Sequence, residues 1–163
     1  MKVTLILSFI LMASLFLAIW AAVALVQWNR LFGTAPKDIQ AAALEHEERF
    51  PGARILGWML LVIFTFIFLS AFVYAGWDGI RSGYGLWQFA ARFLTMLYLL
   101  KAFDIICLDW FLLTKSHFFQ HYYPETEGCA GYRQFGFNRK EQLVRIMLFP
   151  FVALFLAWIC TLL

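Results

Sequence analysis

Two stretches of this sequence, Val3–Val26 and Ile55–Trp77, run for 24 and 23 residues without a charged side chain. A third, Leu143–Leu163, carries only Arg145 near its start. About 20 apolar residues are needed to cross the hydrocarbon core of a bilayer, so each run is long enough for a transmembrane helix. Composition agrees. The chain is 63% hydrophobic and 14% charged, against roughly half and a quarter in a soluble domain. A soluble fold of this size leaves about a third of its surface in water and could not hide so much apolar area. A bilayer solvates that area instead.

The first run could be read as a signal peptide, because Lys2 precedes it and Ala22-Val23-Ala24 resembles a cleavage site. A secretory apolar region is about 7–15 residues, so an uncleaved span is the better reading. Trp58 and Trp77 lie near the ends of the second run, as interfacial aromatic residues do. In the last run Pro150 lacks the N–H that would bond to the Ile146 carbonyl, which predicts a kink or a freed acceptor.

A fourth stretch, Leu86–Leu113, is long enough to cross but holds Arg92, Lys101, Asp104 and Asp109. Its fifteen Leu, Ile, Phe and Met residues favour insertion by roughly 4–9 kcal/mol in sum. Lys101 and Asp104, near mid-span, each oppose it by about 2.5–3.5 kcal/mol. Alone, this helix is marginal, and it needs neighbours to cover or pair its charges. The sequence therefore predicts an all-α integral membrane protein with four transmembrane helices, at about 3–26, 55–77, 86–113 and 143–163. An up-down-up-down bundle is the expected arrangement. The turn 78–85, with Gly79, Gly83 and Gly85, joins two span–loop–span halves that share little residue identity.

Basic residues set the expected orientation. Arg30, Lys37, Arg49 and Arg54 fall in loop 27–54, and Lys115, Arg133, Arg139 and Lys140 in loop 114–142. The opposite side has only Lys2 and Arg81. The positive-inside rule puts both loops in the cytoplasm and both termini outside. The first loop reads as an interfacial helix over Lys37–Arg49, with Thr34 able to cap it and Pro36 suited to its first turn. Ile39, Ala42, Ala43 and Phe50 would form its apolar face. In the second loop Phe118, Phe119, Tyr122 and Tyr123 would carry the third helix into the headgroup region. Tyr132, Phe135 and Phe137 would return to it.

Two clusters could carry chemistry. Lys101, Asp104 and Asp109 are ionisable groups inside a span, which by default mark a relay or a polar ligand pocket. Arg92 lies nearer the outer end, where it could snorkel, and receives no role. The second cluster is His117-x-x-x-His121 with Glu125, a spacing that places both imidazoles on one helix face. Such a set could hold Zn²⁺ or Fe²⁺ and activate water, although the spacing is common by chance. Cys107, Cys129 and Cys160 are dispersed and imply neither a disulfide framework nor a zinc site. No nucleotide-binding, hydrolase or metalloprotease motif occurs, and the chain is too apolar, with a net charge of +3, for a nucleic-acid binder. The intramembrane charges favour a small transporter- or channel-like subunit in the lipid bilayer. A homo-oligomer or a partner membrane subunit is expected with it, since four spans are few for a solute pathway. An accessory subunit of a membrane complex and a membrane-embedded enzyme acting on a lipid-like substrate are the alternatives.

Overall fold

The computed structural model describes residues 1–28, 33 and 35–163. It is all-helical, and no strand occurs among the described residues. Three helices are long and apolar enough to cross a membrane: Lys2–Val26 (α1), Ala53–Arg81 (α3) and Arg139–Leu162 (α6). A short helix, Lys37–Ala42 (α2), follows α1. Between α3 and α6 lie Leu86–Phe103 (α4) and a π-wound continuation, Asp104–Lys115, then the five-residue Phe118–Tyr122 (α5) and two single 3₁₀ turns. α6 runs through Pro150 without ending.

The chain divides into two compact units. One comprises Met1–Ser14, Phe66–Phe103 and Asn138–Leu163; the other comprises Leu15–Thr65 and Asp104–Phe137.

In the first unit α4 packs along α6, with Leu7, Leu11, Phe89, Phe93, Met96 and Ala157 in the core. The α3–α4 connection is tighter than the expected turn 78–85, because α3 continues to Arg81. Its end is a Schellman closure, in which the Tyr84 N–H reaches Gly79 O at 3.0 Å and the Gly83 N–H reaches Ile80 O at 3.1 Å. Gly83 takes the left-handed conformation this closure requires, at φ +67°. α4 then starts with one half of a capping box, the Gln88 side chain accepting from the Gly85 N–H at 2.8 Å. Gly79 sits directly on the Phe89 ring, where a Cβ would overlap it.

The extra helical turn places Asp78 opposite Arg92. Arg92 Nη1 lies 2.8 Å from Asp78 Oδ2, and its side chain is only 3% exposed. The same nitrogen donates to Ala75 O at 2.8 Å, and Nη2 donates to the Tyr84 hydroxyl at 3.0 Å. The guanidinium carbon rests 4.5 Å from the centre of the Tyr84 ring. Arg92 thus does not snorkel. It is buried and paired, because a helix ending at Arg81 rather than Trp77 supplies a carboxylate within reach.

In the second unit α1 closes in an i→i+5 turn, Gln27 N to Ala22 O at 3.0 Å, and Gln27 stops it with φ 51°. Gly57 lets α3 approach there: a Cβ would lie 2.7 Å from Val26 Cγ2. The loop segments are not a loose interfacial layer. Ile39, Ala43, Leu113, Tyr123 and Tyr132 share a core with Val23, and Tyr123 is fully buried. Polar bonds cross this core's edge. Asp38 Oδ2 accepts from the Gly131 N–H at 2.7 Å. The Thr126 and Tyr132 hydroxyls are 2.7 Å apart.

Two expectations for these loops are corrected. The helix over Lys37–Arg49 ends at Ala42, and Ala43 is extended with ψ 122°. The reason is tertiary: the Leu44 N–H donates to Glu125 Oε1 at 2.9 Å, a bond that a continued helix would forbid. Thr34, its expected cap, lies outside the described residues. Phe118–Tyr122 does not prolong the preceding helix either. The chain breaks at Ser116–His117, and α5 folds back so that Tyr123 enters the core.

Candidate functional site

The sequence candidates Asp104 and Asp109 line one pocket, within the second unit. It has a volume of about 150 Å³. Leu108 and Leu113 from the π-wound segment, Ile19 and Val23 from α1, and the rings of Phe119 and Phe137 make most of its wall. Two carboxylates therefore face a space that is otherwise apolar.

The winding of the backbone explains their convergence. Residues five apart in an α-helix point about 140° away from one another. From Asp104 the ladder shifts to i→i+5, as in Ser116 N to Phe111 O at 2.8 Å. Each turn then takes up roughly one more residue, and positions i and i+5 return to the same face. Asp104 and Asp109 are such a pair. π winding is rare and, as single-turn bulges within α-helices, is frequent at functional sites.

Lys101, the third member of that cluster, is buried on α4, with 6% of its surface exposed.

The second candidate cluster is not assembled. His117 and His121 are both exposed. The His121 ring meets Tyr122 edge-on at 4.9 Å. Glu125 is engaged by the other loop, its Oε1 lying 2.9 Å from His46 Nε2 and taking the Leu44 N–H. Among the described residues no group of three or more His, Cys, Asp or Glu side chains is placed to hold a metal ion. The geometry thus offers His117, His121 and Glu125 no common centre for Zn²⁺ or Fe²⁺.

Electrostatics follow this pairing. Partial burial pushes the Glu125 carboxyl up, but the bonds from Leu44 and His46 outweigh it and hold the group below its ordinary value. Burial raises the Tyr123 phenol strongly, reinforced by the charges of Glu125 and Glu45. The His46 ring stacks edge-on against Tyr123 at 5.2 Å, and Arg54 Nη2 donates to His46 O at 3.0 Å. His46 and Asp78 were invisible as functional partners in the sequence. The one cue for Asp78 was its placement fourteen residues before Arg92, across a glycine-rich turn.

No family model, no curated protein and no solved structure matches this chain.

Proposed function

We propose that the chain is a four-span membrane protein with an up-down-up-down bundle, both loops cytoplasmic and both termini outside. In this reading it is a small transporter- or channel-like subunit that engages a proton or a cationic solute at Asp104 and Asp109. The observation that carries it is the convergence of those two carboxylates on one apolar-walled pocket. Carboxylates that line such surroundings can take up a proton or bind a cation strongly, since the effective dielectric is well below that of water.

The covered charges of α4 support the fourth span. Arg92 is paired with Asp78, and Lys101 is buried. Two of the four charged groups of Leu86–Leu113 are thereby taken out of contact with lipid. Four spans are few for a solute pathway, so a second copy or another membrane subunit completes it.

The test is proton or cation flux into proteoliposomes. Asp104→Asn and Asp109→Asn should each keep the protein folded and cut flux at least tenfold. Wild-type flux in both variants would remove the proposal.

A second reading, an accessory subunit that docks a partner, is favoured by the independently packed loop core and by Phe135, which that core leaves 55% exposed. Native mass spectrometry after gentle solubilisation separates the two readings. A co-purifying unrelated chain lost on Phe135→Ser favours docking.

A further inference from the structure

At the α3–α4 turn of the first unit, a cleft of about 360 Å³ is lined by Thr4, Leu5, Tyr84, Gln88, Arg92 and Thr95, among others. Gln88 and Arg92 are four apart and Thr95 three further, so they form one stripe of α4. The stripe keeps two donor groups for a ligand, the Gln88 amide and Arg92 Nε–H. Gln88 spends its carbonyl oxygen on the Gly85 N–H, which leaves its amide N–H groups for other acceptors. Thr95 gives its hydroxyl proton to Ala91 O. Arg92 has Nη1 and Nη2 engaged, but its Nε–H has no acceptor although the group is buried. A buried guanidinium donor without an acceptor is costly, and a turn of the side chain toward the cleft would bring it to a ligand oxygen.

We infer that this cleft binds the phosphate group of a phospholipid. Phosphate supplies several acceptor oxygens and suits a guanidinium better than any neutral group. Asp78 already balances Arg92, so the site needs no highly charged ligand. Arg92 lies six residues past the start of α4, about 9 Å along the axis at 1.5 Å per residue. The headgroup layer of a leaflet is roughly 5–8 Å deep, so a span that starts at the headgroup surface carries the Arg92 backbone just below that layer, within a side chain's length of the lipid phosphates. Leu5 and Ala91 in the wall offer contact to the glycerol and upper acyl carbons. The inference rests on Leu86–Leu113 being a span, and is independent of the Asp104–Asp109 pocket.

The test uses the full chain in detergent and native mass spectrometry. Phosphatidylglycerol, phosphatidylcholine, diacylglycerol with the same acyl chains and inorganic phosphate are added separately. Both phospholipids should be retained at least tenfold more than diacylglycerol. Arg92→Gln should lower their retention about tenfold. Because that variant also breaks the Asp78 pair, Gln88→Glu serves as a second one. It preserves the acceptor for Gly85, replaces a donor by a negative oxygen, and should lower retention at least fivefold. Equal retention of diacylglycerol, wild-type retention in Gln88→Glu, or binding of inorganic phosphate without phospholipid would overturn the inference. A reporter-fusion topology, measured separately, tells failure of the site from failure of the span.

Discussion

Glu125 joins the two loop segments through one carboxylate oxygen, which takes the Leu44 N–H and meets His46. Its carboxyl is held below the ordinary value of 4.5, so it stabilises the fold above that pH. That contribution is lost as pH falls below it, toward the depressed value. Glu125→Gln keeps an acceptor but loses the charge, which should destabilise the protein by about 1 kcal/mol at neutral pH. Melting curves of the two proteins should therefore differ at pH 7 and converge in acid; a constant difference would assign Glu125 no role through its charge. Individual residues were the least legible part of the sequence. Asp104 and Asp109 were readable because a charge in an apolar run stands out. Their shared face was not, since α-helical spacing sets them about 140° apart and only the π winding aligns them. The partner of Glu125 was hidden because His46 lies 79 residues away.

At the scale of elements, the α3–α4 hairpin is built on a buried ion pair and a glycine contact. Removing one partner of a buried pair leaves an uncompensated charge, so Asp78→Ala should cost roughly 3 kcal/mol. It should also lower the membrane insertion of α4, read as glycosylation of a reporter site placed after Lys115. Unchanged insertion would show that the pair does not carry the helix. Gly79→Leu should destabilise by about 1–3 kcal/mol, since its side chain would be forced into the Phe89 ring; thermal denaturation in detergent checks it. The long helices were legible from their uncharged runs alone. The end of α3 was not, because glycines at 79 and 83 signal a turn equally well at either place, and the Schellman closure chose the later one. The aromatic loop was misread for a similar reason. Phe and Tyr suit a membrane interface and a buried core alike, and Tyr123 and Tyr132 went into a core.

For the whole molecule, the decisive feature is whether Leu86–Leu113 crosses the bilayer. Three helices qualify by length and apolarity without assistance. The fourth owes its case to covered charges, which a hydropathy profile cannot register. The two possibilities differ in parity. With four crossings the C-terminus shares a side with the N-terminus; with three it lies opposite. Alkaline phosphatase and a fluorescent protein, each fused after Leu163 in a bacterial host, read this directly. Four crossings with both loops cytoplasmic predict an active phosphatase fusion and a dark fluorescent one. A bright fluorescent fusion with an inactive phosphatase would contradict it, leaving Leu86–Leu113 on one side of the membrane.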